Sequence, residues 1–267
     1  MSGMTFGPLE LVLASGLVLL SAAISLVLAL GIHRQILVAA VRTAVQLMLI
    51  GFVLRALFRS ESHLLTALLL AAMVAAAAFE VGSRQQRRMV GLWHFLISGA
   101  AVSISTMLIA AFALATLSTS TDWTAPRIVI PIAGIILGTS MNAASVALNS
   151  LLTNVAAERN AIEAQLSLGY TRWQAVAPLM RRAVHAGAIP IVNQMAGAGI
   201  ITLPGIMSGQ ILVGQDPMAA AQSQIFLMFL LCAASMASII IAVFLSVSRL
   251  TDERHRLRLD RLSQGRG

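Results

Sequence analysis

The sequence of 267 residues has no lysine, one cysteine and few charges, since 10% of its residues are charged and 58% are hydrophobic. The nucleotide-binding motif G-x-x-x-x-G-K-[ST] needs a lysine, so this chain has no P-loop of its own for ATP. The single Cys232 excludes an intrachain disulfide and a cysteine-based metal cluster. The five histidines are scattered, and neither an H-E-x-x-H motif nor a nucleophile paired with a base is present, so nothing indicates an enzyme.

Long apolar runs dominate the chain, whose mean hydropathy is +0.87. These values are typical of a membrane protein. A transmembrane helix needs about 20 mostly apolar residues. The sequence therefore predicts an all-α, polytopic membrane protein with about seven transmembrane helices, in one transmembrane domain over residues 1–248 that is followed by a basic tail over 249–267. The predicted spans are residues 9–32, 36–58, 64–82, 92–117, 127–149, 183–203 and 219–247.

Arginine supplies all 18 basic residues and predicts the topology. With the N-terminus outside, 14 arginines fall in inward loops and the tail, against Arg55, Arg59 and Arg127 outside and Arg42 within a span. Because positive charge marks the cytoplasmic side, we expect the N-terminus outside and the C-terminus in the cytoplasm. The net charge of +8 could by itself indicate a protein that binds nucleic acid. The arginines flank the spans, however, so membrane topology explains them and no nucleic-acid partner is expected. The tail from Arg249 is expected to bind anionic lipid headgroups.

The start of the chain lacks the basic n-region of a cleavable signal peptide, and its first apolar run is longer than a typical signal-peptide core. We therefore interpret this run as a retained first span.

The longest polar stretch between spans contains two capping patterns. Asn160 with Glu163 resembles a capping box, and Gly169 can end the helix that follows in a left-handed conformation. Thr171 with Gln174 forms a second capping box. The pattern predicts a helix, a glycine turn and a second helix.

This predicted cytoplasmic hairpin covers residues 150–182, and Tyr170 and Trp173 lie near its tip. A solvated loop between spans is one interpretation. Two capped helices and an exposed aromatic pair favour a docking surface.

Polar residues within the spans are costly unless they pair or line a cavity. The fifth and sixth spans each carry several on the helices that flank the hairpin, which favours a polar path through the membrane over interhelical hydrogen bonding alone. The predicted lining residues are Asn142, Ser145, Asn193, Gln194 and Gln210. Arg42 and Gln46 share a helix face. Arg42 in the cytoplasmic half of the second span could meet Glu80 near the cytoplasmic end of the third, so these residues form either a structural ion pair or a gate or substrate contact.

The stretch "ITLPGIMSGQILVGQDP" at 201–217 interrupts the apolar sequence. Residues 183–213 would form a helix of about 46 Å, which is too long for a hydrocarbon core of about 30 Å unless the helix tilts or breaks. Pro204 and Gly205 predict a broken or re-entrant helix near the outer face, and Gly209 completes a G-x-x-x-G pattern. We interpret these three residues as the hinge of an outer gate at a homodimer interface, with a plain helix–loop–helix corner as the alternative.

Several motifs together resemble one known family. They are "RTAVQLMLIG" at 42–51, "GTSMNAAS" at 138–145, "EAQLSLG" at 163–169, "IPIVNQM" at 189–195 and "LPGIMSGQILVGQDP" at 203–217. The chain resembles the bacterial iron-export permeases of ABC transporters, a family related to plant membrane proteins of aluminium tolerance. The resemblance covers most of the chain and is densest over 131–230.

The resemblance implies a multi-pass permease subunit in the cell inner membrane that forms a homodimer, binds no cofactor and moves iron or another metal species out of the cytoplasm. A separate ABC ATP-binding subunit would hydrolyse the ATP. The alternatives are a permease for a non-metal substrate such as a nucleotide sugar, or a stand-alone secondary transporter. The resemblance implies that the hairpin couples to the ATPase through Glu163, Ala164, Gly169, Tyr170, Thr171 and Trp173.

Overall fold

The computed structural model describes residues 7–60, 62–117 and 125–263, and these residues form nine α-helices and one short 3-10 helix. No strand is present in these ranges beyond isolated β-bridges. The predicted all-α fold is therefore confirmed. The helices are α1 (Pro8–Val27), α2 (His33–Ser60), α3 (His63–Arg84), α4 (Trp93–Leu117), α5 (Pro126–Ala157), α6 (Arg159–Ser167), α7 (Arg172–Gly197), α8 (Gly205–Leu212) and α9 (Pro217–Leu250), and the 3-10 helix is Leu259–Arg261.

The chain divides into two compact units, Met1–Ser62 and His63–Gly267. The first unit consists of α1 packed on α2. Helix α1 ends at Val27, five residues before the end of the predicted first span. Ala29 and Gly31 both have positive φ in the following turn, a conformation that a helix cannot continue through.

Helix α5 is the centre of the second unit, where it packs against α3, α4, α7 and α9. It continues eight residues beyond the predicted end of the fifth span at residue 149. Leu151, Leu152 and Val155 explain the difference, because they are almost fully buried in the core and hold this part of the helix against its neighbours. The loop predicted to begin at residue 150 is therefore still helix.

Helices α5 and α9 run parallel to each other. Near their N-terminal ends, Ile136 and Leu231 belong to one buried cluster. Near their C-terminal ends, Leu152 and Val247 belong to another. Two parallel helices that both cross a bilayer require the chain to cross back between them.

Helix α7 makes this return. Its first turn lies at the C-terminal end of α9, where the rings of Trp173 and Phe244 are 5.4 Å apart, and its later Ile191 belongs to the cluster of Ile136. Among the described helices, six have the length and apolar composition of a span, namely α1 to α5 and α9. Helix α7 is not among them because polar side chains, including His185, interrupt its apolar sequence. A seventh crossing on α7, at the predicted span 183–203, stays a prediction that the antiparallel course of this helix supports.

Helix α7 approaches its neighbours closely at Gly187. A Cβ atom added there would lie 2.9 Å from the backbone oxygen of Ala143, 2.9 Å from the Cβ of Ala147 and 3.1 Å from the Cδ1 of Ile239. Only a residue without a side chain fits between α5 and α9 at this depth.

We expect Gly187→Ala to destabilise the protein by about 1–3 kcal/mol, because the added methyl group overpacks against backbone that cannot move aside. Thermal unfolding of the purified protein in detergent measures this loss. Gly51→Ala in α2 is the matched control, since nothing lies within 4 Å of the added Cβ. Equal melting temperatures for the two variants would contradict the tight packing at Gly187.

Candidate functional site

The turn between α6 and α7 closes in the way the sequence predicts. Gly169 has φ of +91°, in the left-handed region. The N–H of Tyr170 donates to the Gln165 oxygen at 3.2 Å and the N–H of Gly169 to the Leu166 oxygen at 3.1 Å. This pair of bonds is a Schellman motif, which satisfies the last carbonyls of α6.

The start of α6 differs from the prediction. Asn160 lies inside the helix, and the residue before the helix, Glu158, makes no side-chain capping bond. The predicted capping box at Asn160 and Glu163 is therefore wrong. Helix α5 runs to Ala157, so the chain enters α6 almost directly and leaves no extended residue to act as a cap. The Glu163 carboxylate instead pairs with Arg159 at 2.8 Å.

Helix α7 begins with the predicted capping box, in which both bonds between Thr171 and Gln174 are present. The expected exposed aromatic pair is only half correct. Tyr170 is 50% exposed, but Trp173 packs against Phe244 because the second residue of α7 faces α9. Leu168 was not predicted from the sequence as part of this surface, but it is 78% exposed and directly precedes the turn glycine.

The exposed apolar tip of the hairpin therefore consists of Leu168 and Tyr170, beside the exposed Ala164. Ion pairs fix its base. Besides the pair within α6, Arg182 of α7 contacts Glu158 at 2.8 Å and ties the start of α6 to α7. An apolar tip on a fixed base is an arrangement that can dock into a partner's groove.

Midway along α5, a small cavity of about 70 Å³ brings together polar side chains of three helices. Asn142 of α5 and Gln194 of α7 line it, as predicted, and both are exposed on this chain. Ser235 of α9 is a lining residue that the sequence analysis missed. Pro190 also lines the cavity and has no N–H to donate, so α7 loses one helical hydrogen bond beside it.

The other predicted lining residues lie elsewhere. Ser145 is buried in the helix packing and Asn193 is exposed on α7, and neither lines this cavity. Asn149 has a structural contact, because its Oδ1 accepts a hydrogen bond from the N–H of Gln86 at 3.0 Å.

The predicted break after α7 is present but begins earlier than Pro204. Helix α7 ends at Gly197, Gly199 has φ of +84°, and its N–H donates to the Thr202 oxygen at 2.8 Å. Pro204 caps α8 and Gly205 begins it, so these two residues start a helix instead of ending one. The chain at the far end of α7 is thus a turn followed by a helix of eight residues.

Gln210 on α8 lines a second cavity of about 540 Å³ with Arg127, Ser223 and apolar residues of α4, α5 and α9. Its Oε1 is buried and has no hydrogen-bond partner among the described residues. The two cavities share no lining residue. A Cβ atom added at Gly205 or Gly209 would meet no other described part of the chain within 4 Å, so this surface of α8 is open.

The three residues of the predicted ion pair or gate lie in two separate units. Arg42 and Gln46 are exposed on α2 of the first unit, and Glu80 lies on α3 of the second. The Glu80 carboxylate contacts Arg84 at 2.9 Å, one turn further along α3. A role for the three residues together stays a prediction. Within residues 7–60, 62–117 and 125–263, no group of three His, Cys, Asp or Glu side chains is placed to hold a metal ion.

These helices and the helical hairpin at one end define a polytopic α-helical membrane protein. Residues 8–251 match the model of the uncharacterised protein family UPF0014. The chain belongs to this family, which confirms the resemblance seen in the motifs.

Three relatives illustrate the family. The chain is 37% identical to the UPF0014 membrane protein slr1647 of Synechocystis, over 89% of this chain and 92% of the relative. It is 34% identical to the probable iron export permease protein FetB of Escherichia coli, over 96% of both chains. It is 30% identical to the protein ALUMINUM SENSITIVE 3 of Arabidopsis thaliana, over 85% of this chain and 81% of the relative. No solved structure matches the chain.

We expect Gly169→Val to destabilise the turn by about 1–2 kcal/mol, because a β-branched residue is strained at positive φ. Nothing lies within 4 Å of an added Cβ, so the cost comes from the backbone and not from crowding. Amide hydrogen exchange across residues 164–172 measures the loosening. Gly169→Asn is the control, since asparagine tolerates this conformation, and equal exchange in both variants would contradict the assignment.

Proposed function

We propose that this chain is the membrane-spanning permease subunit of an ABC exporter that moves iron, or another metal species, out of the cytoplasm. A homodimer of the chain would form the pathway, and a separate ATP-binding subunit would hydrolyse the ATP. The proposal is supported by the relative that is named a probable iron export permease.

The observation that carries the proposal is the α6–α7 hairpin with its exposed Leu168 and Tyr170. The hairpin is continuous with α5 on one side and α7 on the other. A partner that displaces the tip therefore moves two crossing helices directly, which is the coupling that a motor on another chain requires. The absence of lysine agrees with an ATPase on a separate chain.

The orientation with the hairpin in the cytoplasm is supported by arginine. The hairpin and the loop between α3 and α4 both contact the segment that follows α9, through hydrogen bonds of Arg172 with His255 and of Arg88 with Ser263, so these segments meet at one end of the second unit. Most arginines of this unit belong to these segments, whereas Arg127 begins α5 at the other end. The positive-inside rule puts the arginine-rich end in the cytoplasm.

The pathway would run along the face that carries Asn142 and Gln194. Exposed amides at membrane depth are unfavourable against lipid unless water or protein covers them. A second copy of the chain would cover them, and Gly138 on α5, where an added Cβ would meet nothing within 4 Å, would let another helix approach closely. Amide oxygens are also suitable ligands for a hard metal ion that must be released again.

We expect efflux of radiolabelled iron from proteoliposomes to require this chain, ATP and the ATP-binding subunit together. Efflux without that subunit would favour a stand-alone secondary transporter. ATP hydrolysis in the complex without iron movement would exclude iron as the cargo, and labelled nucleotide sugars would then be tested.

We expect Leu168→Ala and Tyr170→Ala each to weaken binding of the ATP-binding subunit by about tenfold or more, as for side chains in a central interface cluster. Binding is measured by titrating the subunit onto the permease in nanodiscs. Leu168→Met and Tyr170→Phe keep the size of each side chain and should bind like the wild type. Unchanged binding in the alanine variants would exclude the tip as the docking site.

We expect Asn142→Leu and Gln194→Leu to reduce efflux by about tenfold if each amide is a polar contact of the cargo, a change of about 1.4 kcal/mol. Docking of the ATP-binding subunit should not change, because the amides lie far from the tip. Val192→Leu, also on the exposed surface of α7, is the control. Wild-type efflux in both amide variants would show that the pathway does not run along this face.

A further inference from the structure

Residues 251–263, which we call the C-terminal strap, fold back against the second unit. The N–H of Arg258 donates to the Leu250 oxygen at 2.8 Å, and Thr251 and Leu257 form an antiparallel bridge. Leu262 is 8% exposed and belongs to the main core cluster. The family match ends at residue 251, where the strap begins.

One end of the strap is fixed to the loop between α3 and α4. The N–H of Ser263 donates to the Arg88 oxygen at 2.7 Å, and the N–H of Arg88 donates to the Ser263 hydroxyl at 2.9 Å. The N–H of Val90 donates to the Arg261 oxygen at 2.9 Å. The arginine-rich tail expected to bind lipid headgroups is thus hydrogen-bonded to protein along this end.

The other end contacts the α6–α7 hairpin through Arg172, the first residue of α7. The backbone N–H of Arg172 donates to the Nδ1 of His255 at 3.2 Å. The Arg172 guanidinium donates to the Asp252 backbone oxygen at 3.3 Å. The first N–H groups of a helix have no partner within it, so an acceptor from outside stabilises the helix start.

The turn that carries His255 is held in one conformation by hydrogen bonds to Asp252. His255 has φ of +54°, which is uncommon for a residue other than glycine. The Asp252 carboxylate accepts hydrogen bonds from the N–H groups of Arg256, at 2.8 Å, and Arg254, at 3.1 Å. The hydrogen bond from the backbone N–H of Arg256 is the main reason why the pKa of Asp252 lies below its ordinary value.

We propose that His255 is a positioning residue that holds the first turn of α7, and that the strap links the hairpin to the α3–α4 loop. In this arrangement a displacement of the hairpin reaches α3 and α4 as well as the two helices that continue from it. The link rests on the structure alone, while its use in transport rests on the proposed function.

Amide hydrogen exchange of the purified full chain in nanodiscs tests the hairpin end. In His255→Ala the N–H of Arg172 loses its acceptor, so peptides covering residues 170–176 should take up about one additional deuteron at early times. His255→Gly should do the same, because glycine keeps the left-handed turn without an acceptor. His255→Asn should exchange like the wild type, since asparagine supplies an oxygen acceptor and tolerates positive φ.

Arg254→Ala is the control for an altered charge in the same turn, since its backbone bond to Asp252 is kept. Wild-type exchange in both His255→Ala and His255→Gly would overturn the role of His255. A loss of protection in His255→Asn as large as in His255→Ala would also overturn this role, because the effect would then not depend on a hydrogen-bond acceptor at residue 255.

The link along the strap is tested from its other end with Leu262→Ala. Removing this core anchor should increase exchange at residues 170–176, although Leu262 does not belong to the hairpin. Leu262→Met keeps the volume and should exchange like the wild type. Faster exchange confined to residues 85–92 in Leu262→Ala would show that the two ends move independently and would overturn the link.

Transport is then measured with the same variants and the ATP-binding subunit. If His255→Ala changes exchange but no ATP-driven efflux occurs even in the wild type, the proposed function is wrong, while the structural role of His255 in the strap is still supported. If the wild type exports iron, His255→Ala should export fewer ions per ATP hydrolysed than His255→Asn. An identical ratio in these two variants would overturn the role of the strap in coupling.

Discussion

The contact of α7 with α5 and α9 at Gly187 is the constraint on which the second unit depends. Helices α5 and α9 run parallel, so the chain between them has to return in the opposite direction, and it does so on a helix whose apolar sequence is interrupted by polar residues. Dense packing compensates for that composition, because α7 buries its face against two long helices and faces lipid over only part of its surface. Gly187 permits this packing by bringing backbone almost into contact with backbone.

The same contact determines where the polar groups of α7 lie. With Gly187 fixed against α5, Pro190 and Gln194 follow one and two helical turns later and meet Asn142 at the cavity. The N-terminal end of α7 carries the hairpin, and its C-terminal end leads into the turn before α8. One helix therefore connects the proposed docking tip, the amide-lined cavity and the turn before α8, so a rigid movement of α7 would affect all three.

Local signals in the sequence predicted local structure well. Gly169 and the pair of Thr171 with Gln174 were identified correctly, because left-handed turns and capping boxes depend on a few neighbouring residues. The capping box predicted at Asn160 was wrong, because a capping pattern has no effect where the preceding helix continues to Ala157. The pairing of Trp173 with Phe244 and the folding of the strap depend on residues about 70 or more positions apart, which periodicity and capping rules do not detect. The apolar run predicted a span at 183–203, whereas α7 covers Arg172–Gly197, because its polar N-terminal half is held as helix by packing that hydropathy does not detect.

Three contacts away from the tip hold the hairpin. Glu158 and Arg182 join its base, Trp173 packs on α9, and His255 contacts the start of α7. A flexible loop in this position would absorb a partner's movement, whereas a braced one passes the movement on. Trp173 is engaged with α9, so Leu168 and Tyr170 are the large apolar side chains that stay exposed on the hairpin for the proposed partner. A rigid base and a small apolar contact are thus consequences of the same packing.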